Sequence, residues 1–172
     1  MRLLTFSLKI RLTTWRSINY LVVASQCGYC EFFGHRQCPD DITNAVESSV
    51  EMLIEYGLAD TFYVGNQGGY DSSVLKVLRR MKEKYPHINY SVVLAYHPSV
   101  REVNFARPDE TVLPEEVAAC HPRFAIDKRN RWMLSKSDYA ICYAWKTGGA
   151  MKFTELAVKQ GLKVKNLAES KT

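Results

Sequence analysis

The chain has 172 residues, 47% of them hydrophobic and 12% aromatic, enough to close one sizeable core at the usual size of a single domain, which excludes a disordered or fibrous protein. Its net charge of +5 is uneven: Arg2, Lys9, Arg11 and Arg16 stand in residues 1–30 with no acidic residue, leaving 19 of the 23 basic residues against all 18 acidic ones. The excess therefore belongs to a short leader and is no nucleic-acid footprint, and the basic run Lys76, Arg79, Arg80, Lys82 and Lys84 reads as a solvated helix face.

In the leader, the apolar run Ile18 to Ala24 is shorter than the roughly 20 residues a membrane span needs, so no membrane association is expected. Ala24-Ser25-Gln26-Cys27 is a poor cleavage or lipid-attachment site. Five cysteines, an odd number, fit free thiols in a reducing, cytoplasmic setting.

From Tyr29 onward, strand-like runs alternate with helical periods. Tyr29 to Phe33 reads as a first strand, and Ile42, Val46, Val50, Leu53 and Ile54 mark a helix that Asp40 or Asp41 starts and Gly57 stops. Thr61 to Val64 is a second strand, leading into a helix marked by Val74, Val77, Leu78 and Met81. Tyr90 to Tyr96 is a third, nearly all apolar, as expected where helices cover both sheet faces. Residues 97–121 read as one long irregular segment, of the kind that often forms lids or ligand contacts. A helix over Asp127 to Ser135, a strand over Tyr139 to Ala144, a helix over Ala150 to Gln160 and a strand over Lys163 to Leu167 complete the chain. The pattern predicts an α/β fold: a three-layer, Rossmann-like open parallel sheet of about five strands with helices on both faces.

Such a sheet binds ligands at the carboxyl ends of its strands, where strand order reverses. Three loops there carry suitable chemistry: Gly34-His35-Arg36, Gly65 to Asp71, and Thr147-Gly148-Gly149-Ala150. In the last, bare backbone amides and a helix N-terminus can hold a phosphate, although a plain tight turn explains a lone Gly-Gly equally well. Gly65, Asn66, Gly68, Gly69 and Asp71 form a second glycine-rich loop and strengthen the ligand reading. Neither loop is a triphosphate P-loop or a dinucleotide fingerprint. Arg36 and Arg129 offer planar donor forks for phosphate or carboxylate, whereas Arg131 reads as surface. His35 can act as donor, acid or base near neutral pH, or simply fill its loop. Glu155, near the start of the last helix, can reach the same crevice, though acidic residues favour helix beginnings anyway. Cys27 and Cys30, with His35 and Cys38, make half of a zinc site with no second half, so no metal is expected.

Taken together, these loops resemble the SLOG superfamily, the Rossmann-like group that includes the Lonely-Guy phosphoribohydrolases and DNA-processing proteins. The resemblance is strongest to small bacterial SLOG proteins. It rests on Phe32-Phe33-Gly34-His35-Arg36, Phe62 to Asp71, Arg129-Asn130-Arg131-Trp132-Met133 and Gly148 to Glu155. It covers one domain, residues 29–172, and leaves residues 1–28 outside. Against the Lonely-Guy motifs, Gly148, Gly149, Glu155, Arg129 and Met133 match, while Met151 and Lys152 replace a glycine and a threonine and Asn130 replaces a lysine. Lys152 then either supplies charge to the altered phosphate cradle or sits on the surface. The resemblance implies binding or sensing of a nucleotide-type phosphate ligand, with no cofactor, and self-association. The alternative it implies is hydrolysis of a nucleoside monophosphate's N-glycosidic bond, with Arg129 and Glu155 catalytic. DNA binding is a third and weaker reading.

Overall fold

The computed structural model describes residues 28–39, 41–97 and 106–168. In chain order the elements are β1 (Gly28–Gly34), α1 (Ile42–Glu55), β2 (Ala59–Val64), α2 (Gly69–Lys84), β3 (Asn89–Val93), β4 (Thr111–Val112), α3 (Glu115–Ala118), α4 (Ala125–Lys136), β5 (Tyr139–Tyr143), α5 (Gly149–Lys159) and β6 (Lys163–Asn166). All neighbouring strands are parallel, in the order β4-β3-β2-β1-β5-β6. The fold is the expected three-layer Rossmann-like α/β sheet, with six strands rather than about five. The chain builds outward from β1 to β4, then returns to the other side of β1 for β5 and β6. The order reverses between β1 and β5, where Gly34 pairs with Tyr143.

The two-residue side-chain period of the strands sorts the core into two layers. Cys30 and Phe32 of β1 and Tyr139 and Ile141 of β5 pack with α1 and α2, whereas Phe33, Ala140 and Cys142 pack with Met133 and Leu134 of α4 and Phe153 and Ala157 of α5. Helical periodicity does the same for α1, whose buried residues include Ile42, Val46, Val50, Leu53 and Ile54. Tyr70 of α2 packs onto the sheet at the reversal point. Its ring lies where a side chain on Gly34 would stand, 2.1 Å from the Cβ position, and its hydroxyl donates to the Ile141 carbonyl at 2.9 Å. Glu31 is fully buried in β1, neither carboxylate oxygen has a hydrogen-bond partner among the described residues, and burial pushes its pKa well above the ordinary carboxylate range.

Two sequence expectations change, and a third is filled in. β3 ends at Val93 rather than Tyr96, because the chain bends at Ala95 and Tyr96 just past the Leu94 amide's bond to the Val112 carbonyl of β4. Residues 106–121 are not irregular: they supply β4 and α3, anchored by Glu110, which accepts from Arg79 Nη2 at 2.6 Å and Tyr90 Oη at 2.6 Å. The basic face of α2 is largely neutralised: Arg80 and Lys84 pair with Glu47 and Glu51 of α1, Arg79 pairs with Glu110, and Lys82 donates to the Pro86 and Ile88 carbonyls. Of the two α1 start candidates, Asp41 occupies the N-cap position and Asp40 lies outside the described residues. Cys27 and the leader also lie outside them. Among the described residues, no helix is long and apolar enough to cross a membrane, and no group of His, Cys, Asp or Glu could hold a metal ion.

Candidate functional site

The reversal between β1 and β5 opens a cavity of about 300 Å³ at the carboxyl ends of the strands. Three regions shape its polar part: the β1–α1 loop with His35 and Arg36, the β2–α2 junction with Gln67 and Asp71, and α4 with Arg129 and Asn130. Gly149 and Ala150, at the start of α5, line its rim, and Phe33, Ile126 and Phe153 supply apolar wall.

Arg129 is the buried centre, 4% exposed. Its Nε donates to Asn130 Oδ1 at 2.9 Å and its Nη1 to Asn66 Oδ1 at 3.3 Å and the Val93 carbonyl at 3.4 Å. Its Nη2 has no hydrogen-bond partner among the described residues. A guanidinium stays charged even when burial lowers its pKa, as it does here. The site therefore keeps a buried positive charge with two unused donors.

Asp71, 6% exposed, is the matching buried carboxylate. Burial raises its pKa from 3.8 to about 6, against the lowering effects of Arg129 and the Gln67 amide, which donates to Asp71 Oδ2 at 2.8 Å. Arg129 Nη1 and Asp71 Oδ2 each lie 2.6 Å from the point where a Cβ on Gly65 would stand. The absence of a side chain there lets both charged groups cross the β2–α2 loop.

The two glycine-rich loops have different tasks. In the β2–α2 loop the Gly69 amide bonds the Arg36 carbonyl at 2.9 Å, Gly68 (φ 115°) packs against Arg36, and Asp71 places a carboxylate on the first turn of α2. The Gly69 and Gln67 amides are thus engaged by the protein, and the Asp71 carboxylate repels an anion. In the β5–α5 loop Gly148 has φ 149°, and its nearest neighbour at the Cβ position is His35 Cε1 at 3.9 Å; Gly149 has nothing within 4 Å. The first backbone bond of α5 is Lys152 N–H to the Gly148 carbonyl, leaving the amides of Gly149, Ala150 and Met151 without backbone partners among the described residues. No acidic residue stands in its first turn. This helix end presents donors and positive potential to the crevice.

His35 is a support for that loop. Its Nε2 accepts the Lys146 amide at 3.3 Å, so the proton sits on Nδ1, and the ring packs edge-to-face with Trp145 at 5.6 Å. Burial and the Lys146 charge lower its pKa, which keeps it neutral near pH 7.

The remaining sequence candidates fall outside the cavity lining. Thr147 is exposed on the β5–α5 loop. Lys152 is exposed and pairs with Asp127, which also takes Arg131 Nε at 2.7 Å. Glu155 is exposed too. The cause is rotational: α5 begins at Gly149, so Glu155 is its seventh residue, roughly 200° around the helix from Phe153, which lines the cavity. Conversely, Gln67, Ile126, Asn130 and Phe153 line the site without having been singled out from sequence as ligand contacts. The Arg129-Asn130 pair was the available signal, since Asn130 fixes the Arg129 fork directly. The chain matches no protein-family model and no curated protein significantly, so the geometry carries the functional reading.

Proposed function

We propose that this chain binds a phosphate-bearing, nucleotide-type ligand in the β1/β5 crevice, as a SLOG domain would, with its phosphate on the first turn of α5. The observation that carries this reading is the pairing of unoccupied amides at Gly149 and Ala150 with the buried Arg129 fork on one cavity. The amides and the helix end hold the anion; the guanidinium lies deeper and contributes directional hydrogen bonds. The cavity's roughly 300 Å³ is at the lower end of the range for small-molecule sites, so the phosphate has room for an attached group.

Binding is favoured over N-glycosidic hydrolysis because Glu155, the carboxylate that reading requires, is exposed away from the cavity. DNA binding loses its basic face to the ion pairs between α1 and α2. The test is thermal unfolding with nucleoside monophosphates, cyclic nucleotides and ADP-ribose. A ligand at 100 times its Kd stabilises by about 2.7 kcal/mol, so binding gives a clear rise in Tm. No shift with any phosphate-bearing compound in this panel would overturn the reading. Base release from the same compounds, abolished in Glu155→Gln, would instead restore the hydrolase.

A further inference from the structure

Asp71 is an unusual residue to find in a site proposed for an anion. One of its oxygens, Oδ2, is held by the Gln67 amide at 2.8 Å, while Oδ1 has no hydrogen-bond partner among the described residues. The residue is 6% exposed, yet it lines the cavity, so it brings an acceptor without a partner among the described residues to the cavity wall. An ionised carboxylate only accepts hydrogen bonds. A second anion against it would be repelled, and in a water-poor cavity that repulsion is strong. A hydroxyl or ring N–H has the opposite effect, satisfying an acceptor that would otherwise be left without a partner. Arg129, whose Nη2 has no hydrogen-bond partner among the described residues, lines the same cavity. A group that both donates and accepts therefore matches the pair.

We propose that Asp71 is the specificity-determining residue of this site: together with Arg129 it receives a neutral hydroxyl or ring N–H carried by the phosphate-bearing ligand and turns away simple inorganic anions. The inference rests on the binding reading above and adds to it what the inner half of the cavity selects. The α5 end supplies anion affinity that phosphate, pyrophosphate and nucleotides share. Asp71 divides them, because only the nucleotides bring a donor to it.

Calorimetric titration at pH 7.5 of the full chain with inorganic pyrophosphate and with the four common ribonucleoside 5′-monophosphates tests this. The wild type should prefer at least one monophosphate over pyrophosphate by tenfold or more. For that monophosphate, the 2′-deoxy and 3′-deoxy analogues and a ring-N-methylated analogue separate the two donor sources: at least one should bind tenfold or more weakly. Asp71→Asn keeps an oxygen for the Gln67 amide and removes the charge. It should weaken the monophosphate and strengthen pyrophosphate, shrinking the preference at least tenfold, and the smaller Asp71→Ser should do the same.

A preference unchanged within twofold in either folded variant would overturn the inference while leaving the binding reading intact. So would full affinity for every analogue in the wild type, a result that needs no variant to fold. A wild type that binds neither pyrophosphate nor any monophosphate overturns both.

Discussion

The β2–α2 and β5–α5 loops look alike as sequence: each follows an apolar strand, contains adjacent glycines and opens a helix. Their glycines nevertheless make room for different things. Around Gly65, Gly68 and Gly69 the space that a side chain would fill is taken by Arg36, Asp71 and Arg129 of the protein itself. Around Gly149 it is open. The first loop is an internal clasp that brings charged groups together, and the second leaves its glycine surface open. Glycine content alone does not distinguish these roles; what occupies the space beside each glycine, and the acidic residue in the first turn of α2 but not of α5, do.

The largest expected effect sets one loop directly against the other. A methyl group on Gly69 would stand 2.6 Å from the Arg36 carbonyl oxygen that accepts the Gly69 amide, so Gly69→Ala forces backbone to move. Overpacking of this kind costs about 1–3 kcal/mol. Gly149→Ala meets open space at the first position of α5 and should leave Tm nearly unchanged while lowering nucleotide affinity at least tenfold. Paired melting and titration curves check both, and equal stability losses in the two variants would remove the distinction.

Acid should separate the loops next. The folded-state pKa of Asp71 is raised to about 6, so its contribution to stability is fully present below 3.8 and lost as pH rises through 6. Its contribution therefore increases as pH falls from about 6 to 4, by at most about 1.4 kcal/mol per pH unit, and the increment should be missing in Asp71→Asn. His35 has the opposite sign. Its folded pKa lies below 6.5, so the support it gives the β5–α5 loop is present above 6.5 and lost as pH falls through the folded value, when a proton on Nε2 breaks the bond from the Lys146 amide. Denaturant unfolding from pH 4 to 7.5 reads the first effect, and the Lys146 amide resonance reads the second. Parallel behaviour of the two loops would contradict their assignment.

The smallest effects belong to the exposed residues of α5. Lys152→Ala removes a surface ion pair with Asp127 and should change stability by no more than about 1 kcal/mol. Glu155→Gln should leave nucleotide affinity within twofold, because its side chain lies outside the cavity lining. A tenfold loss of affinity in the Glu155 variant would place that side chain at the ligand.

Much of this architecture was legible in the sequence, for definite reasons. Buried strands such as Tyr139–Tyr143 and helices such as Ile42–Glu55 advertise themselves through periodicity, because each must fit one or two apolar faces. β4 could not: a two-residue strand carries no period, and it exists because Val92 and Val93 offer it a sheet edge. At the site, Arg129, Gly149 and Ala150 were readable as chemistry. The division between the glycine loops was not, since it depends on the Arg36 carbonyl and the Asp71 carboxylate arriving from positions that the loop sequence does not fix in space. Glu155 shows the complementary failure, because reading α5 as starting at Ala150 and Glu155 as near its start left out the rotation that carries its side chain away from the crevice.

The central claim is that the first turn of α5, rather than that of α2, receives the ligand's phosphate. Backbone amide resonances of ¹⁵N-labelled protein, followed during titration with a ribonucleoside 5′-monophosphate that raises Tm, test it most directly. Saturable shifts should be largest at Gly149, Ala150 and Met151 and small at Gly68 and Gly69. Shifts concentrated on the β2–α2 glycines, with the α5 amides unmoved, would contradict it.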